Sequence, residues 1–387
     1  MIVYRTINGV KFGVNTAKGS GLLCTPEIAK YIDGDIYEFV EYVYAQKKAY
    51  TPMVATWEIT NCCNFKCPFC YINTPAKPRL YTQSFSKMKG YIDDLTEIGL
   101  FLVYLTGGEV LSVPDFEQIY RYLKNKGVFI VLLSNLSLLN DEHISLFKEL
   151  PPLRITSSIY GLTEKQFSSV TGKEFSLCKR ILDNILLLKN LGITVTCQMP
   201  VNKYTVEDLI PISEWCYSNG IRFTYNNEIT DSYYNESRSL EYIDNVTFET
   251  IKKEIKQVEA VHSSKVKHVE RKFGFKHHFD CISGKHTFAI SFDGHLRPCF
   301  NIWENDLISF DGSISMKNAM CEMTEYIKEM QKVIIEGCHG CEASSICGEC
   351  VYTKLKHKAN FDEYMKDKCA NNLKKCIQMN SIFEENS

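Results

Sequence analysis

Short apolar segments alternate with amphipathic segments along residues 51–230. The apolar segments are typical of buried strands, and the segments between them carry apolar residues at helical spacing. Repeated alternation of strand and helix predicts parallel strands joined by right-handed crossovers. The six predicted strands are Val54–Thr60, Phe101–Leu105, Val128–Leu133, Leu153–Ile159, Ile193–Met199 and Ile221–Tyr225.

This alternation predicts an α/β fold, a partial (β/α)6 barrel, with the active site at the carboxyl ends of the strands. The N-terminal unit is predicted to be a hairpin with Asn8-Gly9 at its turn, followed by one or two short helices. The C-terminal unit is rich in cysteine and has a second hairpin signal, Asp293-Gly294, typical of a type I′ turn. The predicted units are residues 1–50, the barrel 51–235, a linker helix region 236–280 and the cysteine-rich unit 281–387.

Composition narrows the class of protein. Lys and Arg total 44 against 46 Asp and Glu, a balance that gives no drive toward nucleic acid or an anionic membrane. No apolar run approaches the roughly 20 residues that span a bilayer, and the N-terminus lacks a signal-peptide layout. A cytoplasmic protein is expected. In that reducing compartment, the 17 cysteines indicate metal sites or buried thiols rather than disulfides.

Three cysteines follow the first predicted strand at the spacing C-x3-C-x2-C. Thiolates of Cys63, Cys67 and Cys70 on one tight loop can hold three irons of a 4Fe–4S cluster and leave the fourth iron open. A structural zinc site is the alternative, but zinc usually takes a fourth protein ligand. Cys62 is available, although adjacent cysteines on an extended segment do not easily converge on one ion.

The cysteine segment resembles the radical S-adenosylmethionine (SAM) superfamily, whose pattern is C-x3-C-x-aromatic-C. The resemblance implies that SAM binds the open iron and is cleaved to a 5′-deoxyadenosyl radical. Thr106 to Glu109 is similar to the family's GGE motif, which binds the methionine amino group, and Phe69 would lie beside the adenine. Ser158 resembles a ribose-contacting position, although an ordinary strand-end serine explains it nearly as well. The expected SAM contacts are Phe69, Gly107, Gly108, Glu109, Asn135, Ser158 and Gln198.

The C-terminal cysteines resemble a SPASM domain, an extension that carries two auxiliary 4Fe–4S clusters, for a total of three clusters. The fourth ligand of the first auxiliary cluster stays open, with Cys321 as a candidate, and Cys376 is an alternative to Cys369. A zinc ribbon is the competing interpretation of residues 338–350. The resemblance implies Cys281, Cys299 and Cys350 as ligands of the first auxiliary cluster, and Cys338, Cys341, Cys347 and Cys369 as ligands of the second.

Auxiliary clusters beside a radical site suit an oxidative reaction, because a second electron must leave the substrate. The SPASM subgroup that makes formylglycine in sulfatases has an Asp after the second SPASM cysteine, whereas Phe300 stands here. That subgroup also has an Arg where Thr171 precedes Gly172. Both departures favour the subgroup that modifies ribosomally made peptides (RiPP maturases).

The main hypothesis is therefore a peptide maturase that forms a thioether or carbon–carbon crosslink in a precursor peptide. Expected partners are that peptide and an external electron donor such as flavodoxin or ferredoxin. Residues 1–50 resemble a shortened unit that grips a leader peptide by strand addition, and a cap on the barrel explains them equally well. The alternatives are a formylglycine-generating or small-molecule radical SAM enzyme, and a non-catalytic zinc or iron–sulfur protein. The catalytic residues stay unknown.

Overall fold

Two β-sheets, one of three strands and one of eight, organise the part of the chain that the structure describes. The computed structural model describes residues 1–30, 35–47, 51–72, 80–226, 243, 245–265, 284, 286–299 and 315–338. None of the helices in these ranges is both long and apolar enough to cross a membrane.

The N-terminal sheet has the predicted hairpin at its centre. Strands β1 (Ile2–Ile7) and β2 (Val10–Asn15) pair antiparallel, with Ile7 opposite Val10. Asn8 and Gly9 have φ values of 51° and 80°, as a type I′ turn requires. A short third strand, β3 (Leu22–Cys24), pairs with β2, and helix α1 (Ile36–Lys47) follows. The predicted hairpin and helix are confirmed.

The six predicted parallel strands form the larger part of the eight-stranded sheet, which confirms the α/β core. Neighbours in sequence are neighbours in the sheet, and each pair is parallel. Closure of this sheet into a partial barrel stays a prediction. The strands are β4 (Val54–Glu58), β5 (Leu102–Thr106), β6 (Phe129–Ser134), β7 (Arg154–Ser158), β8 (Val195–Pro200) and β9 (Arg222–Asn226).

Helices lie between successive strands, and their ends follow local capping rules. The side chain of Asn140 accepts a hydrogen bond from the His143 amide at the start of α4, and Thr163 does the same for Gln166 in α5. Gly172 ends α5 in the left-handed conformation. The helices are α2 (Phe85–Ile98), α3 (Phe116–Asn125), α4 (Asp141–Glu149), α5 (Glu164–Thr171), α6 (Ser176–Asn190) and α7 (Leu209–Ser218).

The C-terminal hairpin joins this sheet instead of standing apart from it. Strand β10 (Thr287–Ile290) pairs parallel with β4, and β11 (Leu296–Arg297) pairs antiparallel with β10 at the sheet edge. The predicted type I′ turn is wrong. Gly294 has a φ of 92°, but Asp293 does not share the positive φ that this turn needs. The Ser291 amide instead bonds to the His295 carbonyl across a three-residue connection.

Two further helices pack on the outside of the sheet. Helix α8 (Asn245–Val261), in the predicted linker region, packs against α7 and buries Ile255. Helix α9 (Met316–Cys338) packs against α2, and Asp94 of α2 accepts a hydrogen bond from its first amide at 3.0 Å. Its buried side chains recur at helical spacing, a signal in the sequence that predicts this helix. They are Met316, Ala319, Met320, Met323 and Ile327.

Most of the predicted auxiliary-cluster ligands lie outside the described residues. Cys299 is half-buried just after β11, Cys321 is exposed on α9, and the chain position of Cys338 is the last residue of α9. Their roles stay predictions. The ligand candidates outside the described residues are Cys281, Cys341, Cys347, Cys350, Cys369 and Cys376.

Candidate active site

A cavity of about 440 Å³ lies at the carboxyl ends of the parallel strands. Predicted site residues from three separate loops and from strands β7 and β8 meet there. The fold accounts for this, because parallel strands place the residues that follow them along one edge of the sheet. The predicted residues that line the cavity are Cys63, Cys67, Phe69, Cys70, Gly107, Gly108, Asn135, Ser158 and Gln198.

The three-cysteine loop is anchored on both sides. The Lys66 amide donates to the carbonyl of Thr171 in α5 at 3.0 Å, and the Phe65 ring packs edge-on against Phe167 at 6.1 Å between centroids. Within the loop, the Cys70 amide donates to the Cys67 carbonyl at 3.1 Å. These contacts hold three thiols on one wall of the cavity.

The electrostatics of the loop fit a cationic cluster. Burial raises the pKa of the Cys67 thiol well above its usual value, and the neighbouring Cys70 and Cys63 raise it further. The three sulfur atoms are therefore close enough to repel one another as thiolates. Positively charged irons would offset both the burial and the repulsion, since a coordinating thiol is deprotonated outright. The donor set fits three-cysteine ligation of a cluster.

Cys62 lies on the other side of the loop, outside the residues that line the cavity. The hydroxyl of Thr82 donates to its sulfur at 3.7 Å, and the Tyr81 carbonyl lies 3.9 Å from the same atom. No group of three or more His, Cys, Asp or Glu within the described ranges is arranged as a single-ion site. The structure thus separates Cys62 from the three predicted ligands.

The Gly107-Gly108 pair is packed against the start of the cysteine loop. The Gly108 amide donates to the Thr60 carbonyl at 2.7 Å, and the Glu109 amide donates to the Cys62 carbonyl at 2.8 Å. A Cβ at Gly107 would overlap the Thr60 carbonyl oxygen, and one at Gly108 would overlap that of Cys62. Both glycines were predicted as SAM contacts. The structure adds a second reason, because any side chain here would push the two loops apart.

Glu109 lies beneath the cavity wall rather than among its lining residues. Its carboxylate accepts hydrogen bonds from the Ser134 hydroxyl at 2.6 Å, the Asn135 amide at 2.7 Å and the Leu111 amide at 3.0 Å. Burial raises the pKa of Glu109, and these three donors oppose the rise. The side chain therefore joins the ends of β5 and β6, and its predicted contact with a methionine amino group stays a prediction.

Asn135 reaches back to the cysteine loop. Its amide group donates to the side-chain oxygen of Asn64 at 3.0 Å, and Asn64 in turn donates to Ser137 at 2.8 Å. Asn64 is a residue that the sequence argument missed, although its position directly after Cys63 was a usable signal. The Asn64–Asn135 pair fixes the cysteine loop to the end of β6.

Aromatic side chains form another wall of the cavity. Phe69 lies between Tyr160 at 5.7 Å and Tyr204 at 6.2 Å, measured between ring centroids. Tyr160 lines the cavity, and burial raises the pKa of its phenol well above the usual value. Thr224, Tyr225 and Asn226 at the end of β9 also line it and were missed. Their place at the end of the sixth predicted strand could have identified them.

The chain matches one family model and is similar to several known proteins. The model of the radical SAM superfamily matches residues 57–216. The AdoMet-dependent heme synthase of Methanosarcina barkeri (strain Fusaro / DSM 804) is 27% identical over 158 residues, which are 41% of this chain and 45% of the relative. The antilisterial bacteriocin subtilosin biosynthesis protein AlbA of Bacillus subtilis (strain 168) is 29% identical over 162 residues, or 41% of this chain and 36% of AlbA. The chain spans less than half the length of either relative.

A solved structure extends the match over most of the chain. SuiB of Streptococcus suis bound to S-adenosylmethionine has a TM-score of 0.62 at 13% identity, covering 92% of this chain and 95% of SuiB. SuiB bound to its precursor peptide SuiA gives a TM-score of 0.60 at the same identity, covering 84% of this chain and 89% of SuiB. At this level of identity, the likeness establishes a shared fold.

Proposed function

Residues 57–216 form a radical SAM domain, and on that basis we propose that the protein is a peptide maturase that uses SAM and a 4Fe–4S cluster. When bound, the cluster and SAM supply a 5′-deoxyadenosyl radical, which abstracts a hydrogen atom from the substrate. The observation that carries the proposal is the meeting of Cys63, Cys67 and Cys70 with strand-end polar side chains around one cavity.

Different residues of the cavity would hold the 4Fe–4S cluster and SAM. Cys63, Cys67 and Cys70 would bind three irons and leave one iron open for SAM. Phe69, the glycine pair, Asn135, Ser158 and Gln198 would bind and orient SAM. The aromatic wall around Tyr160 excludes water from the reacting atoms, which protects a radical from side reactions.

A peptide substrate is the class that the relatives favour. AlbA is named for bacteriocin biosynthesis, and SuiB shares the fold and was solved with a precursor peptide. In an oxidative crosslink, the substrate loses one hydrogen atom to the radical, then one electron and one proton. The C-terminal cysteines, Cys299 among them, would hold the auxiliary clusters, which would supply an acceptor for that electron. The external donor that first reduces the SAM-binding cluster would be a flavodoxin or ferredoxin.

The N-terminal sheet has a place in this proposal. It packs against the amino ends of β5 and β6, where Phe12 contacts Phe101 at 5.4 Å between ring centroids. It therefore lies at the end of the strands opposite the cavity. Its outer strand β3 pairs on one side with β2, and within the described ranges its other side carries no strand. We assign leader-peptide binding to that side.

A small-molecule reaction is the second candidate, because one relative is a heme synthase. The two candidates differ in the substrate that couples to cofactor cleavage. A peptide maturase converts a short precursor peptide, and a small-molecule enzyme leaves every such peptide unchanged.

The test is an anaerobic reaction of the iron-loaded protein with SAM, dithionite and any short peptide that is encoded beside its gene. We expect 5′-deoxyadenosine together with a peptide lighter by two hydrogens, both read by mass spectrometry. The matched control is Cys63→Ala, which should give neither. Unchanged peptide alongside continued 5′-deoxyadenosine formation contradicts the peptide substrate, and equal yields from Cys63→Ala contradict the radical SAM site.

Metal content gives an independent test. Three 4Fe–4S clusters require about 12 irons per chain. Zinc with little iron would overturn the proposal in favour of a structural metal protein.

A further inference from the structure

A buried ion pair joins the first strand of the parallel sheet to the C-terminal hairpin. The guanidinium Nη2 of Arg297 in β11 donates to Oε2 of Glu58 in β4 at 3.0 Å, across 239 residues of chain. Both side chains are almost fully buried, with 2% and 0% of their surface exposed. Burying two charges costs desolvation free energy, which their pairing offsets only when the geometry is good. Loss of either partner would leave the other charge buried and unpaired.

The same carboxylate holds a residue of the cavity. Oε1 of Glu58 accepts a hydrogen bond from the phenol of Tyr71 at 2.9 Å. Tyr71 directly follows Cys70 and lines the cavity. Glu58 therefore connects three elements. It belongs to β4, which precedes the cysteine loop, and its carboxylate binds both Tyr71, which follows the loop, and Arg297 of hairpin strand β11.

A second polar contact secures the same hairpin. The side-chain amide of Gln83 donates to the carbonyls of Ser291 at 2.9 Å and Phe292 at 3.1 Å. Its oxygen accepts from the indole of Trp57, the neighbour of Glu58, at 3.1 Å. In addition to the backbone pairing of β10 with β4, side chains fasten the hairpin at its turn, through Gln83, and at its returning strand, through Arg297.

The chain beyond Arg297 leads directly to Cys299, a predicted ligand of an auxiliary cluster. A shift of β11 would consequently change the structure in two places. It would move Cys299, and through Glu58 it would release Tyr71 and the end of the cysteine loop. Burial raises the pKa of Glu58 and the charge of Arg297 opposes that rise, so loss of Arg297 would also leave a carboxylate that favours protonation.

We infer that Arg297 is a positioning residue for the SAM site: through Glu58 it holds Tyr71 and the exit of the Cys63–Cys70 loop in the geometry that binds SAM. This inference rests on the proposed function. It assigns to the C-terminal hairpin a direct mechanical link to the cavity, in addition to any role of its cysteines.

The test is Arg297→Met in the iron-loaded full chain, assayed for 5′-deoxyadenosine formation over a range of SAM concentrations. We expect the KM for SAM to rise by about tenfold, because the cavity wall is no longer held in its binding geometry. We expect kcat to stay within about threefold, because the three cysteine ligands are untouched. Arg297→Lys, which keeps the charge and one hydrogen bond, should give an intermediate KM.

The matched control is Arg121→Met, the same replacement at an exposed arginine paired with Glu117 and Glu149. Its KM should equal that of the wild type. The inference is overturned if Arg297→Met keeps the wild-type KM, or if kcat falls while KM is unchanged, as a general loss of folded enzyme would give.

A second variant covers the case in which Arg297→Met does not fold. Glu58→Gln/Arg297→Met removes both charges and leaves no unpaired buried carboxylate, which is the costly element in the single variant. The hairpin contact is still lost, so the KM for SAM should again rise. A wild-type KM in this double variant overturns the inference.

Amide hydrogen exchange separates this inference from the proposed function. In Arg297→Met, or the double variant, the amides of residues 70–72 should exchange about tenfold faster than in the wild type. This readout needs no cofactor cleavage. A wild-type protein that forms no 5′-deoxyadenosine defeats the proposed function, whereas unchanged exchange at residues 70–72 defeats the positioning role.

Discussion

The two ends of the same six parallel strands are built from different kinds of contact. At the amino ends, the rings of Phe12, Phe39 and Phe101 lie 4.8 to 5.4 Å apart and pack against one another. At the carboxyl ends, polar side chains and glycines surround a cavity of about 440 Å³. The first end is stabilised by burial of apolar surface, and the second by hydrogen bonds between loops.

This difference predicts which property a substitution at each end should alter. A substitution at the aromatic end removes packing and should lower the free energy of unfolding while leaving the chemistry of each folded molecule intact. A substitution at the cavity end alters loop geometry and should change cofactor cleavage more than stability. Four experiments test this division, from the largest expected effect to the smallest.

Removing one ligand thiol is the most severe change at the cavity end. Cys70→Ala should lower the rate of 5′-deoxyadenosine formation by at least about a thousandfold, because three thiolates are needed to hold a cluster with one open iron. Cys62→Ala is the matched control, since its sulfur contacts Thr82 outside the cavity lining, and it should keep most of the rate. Similar losses in both variants would show that the ligand assignment is wrong.

Adding one methyl group at the glycine pair is the next test. In Gly108→Ala the new Cβ would collide with the Cys62 carbonyl and displace the cysteine loop. We expect cofactor cleavage to fall by about a hundredfold, as a misplacement of about 1 Å at a reacting centre does. Gly90→Ala in α2 is the control, because its Cβ would meet no atom within 4 Å. It should raise the unfolding free energy by about 0.5–1 kcal/mol, and a rate loss as large as that of Gly108→Ala would refute the steric argument.

At the aromatic end, Phe39→Ala should cost about 3–5 kcal/mol of unfolding free energy, because a fully buried ring leaves a cavity. Denaturant titration measures this cost. Cofactor cleavage per folded molecule should stay within about twofold. Tyr4→Ala, at a side chain 79% exposed, is the control and should change stability by less than about 0.5 kcal/mol. A large loss of cofactor cleavage per folded Phe39→Ala molecule would show that the two ends of the sheet do not have separate roles.

A pH dependence near the aromatic end gives the smallest effect. Lys124 in α3 is fully buried and donates to the Pro151 carbonyl at 2.9 Å. Burial lowers the pKa of Lys124 to about 8. Below that pH both states carry the proton, so the folded state bears the full cost of the buried charge. Above it, the unfolded state holds the proton until its ordinary pKa of 10.5.

The unfolding free energy of the wild type, measured relative to Lys124→Met, should therefore rise between pH 8 and pH 10.5. The slope cannot exceed about 1.4 kcal/mol per pH unit for one group. Denaturant titrations of both proteins at several pH values measure the difference. A difference that is independent of pH would mean that Lys124 is not desolvated as its position indicates.

Much of the fold was predictable because it is encoded locally. Each parallel strand was found within about two residues, since its apolar run and the flanking glycines lie in one short segment. The Asn8-Gly9 turn was also correct, because the two residues themselves favour positive φ. Asp293-Gly294 failed as a type I′ turn, since hydrogen bonds around Ser291 and the packing of the hairpin on β4 selected a longer connection.

The meeting of the candidate residues at one edge of the sheet was predictable, whereas their individual contacts were less so. Parallel topology places residues after strands along one edge, which brought Phe69, Asn135, Ser158 and Gln198 to one cavity as expected. The contacts of Glu109 with Ser134 and Asn135 were not predictable, because those two residues come from the end of a different strand, β6. The contact of Asn64 with Asn135 depends on how closely the cysteine loop approaches the end of β6. The need for glycine at position 108 likewise depends on how closely the loop after β5 approaches the cysteine loop.

The sequence by itself determined the elements that short-range chemistry decides: the strands, the N-terminal turn and the spacing of Cys63, Cys67 and Cys70. These follow from side-chain periodicity, backbone preference and the reach of thiolates on one loop. The tertiary structure alone decided which distant groups meet. It paired β10 with β4, buried Arg297 against Glu58 and turned the Glu109 carboxylate toward Ser134. Such contacts join residues far apart in the chain, so they exist only once the whole sheet has formed.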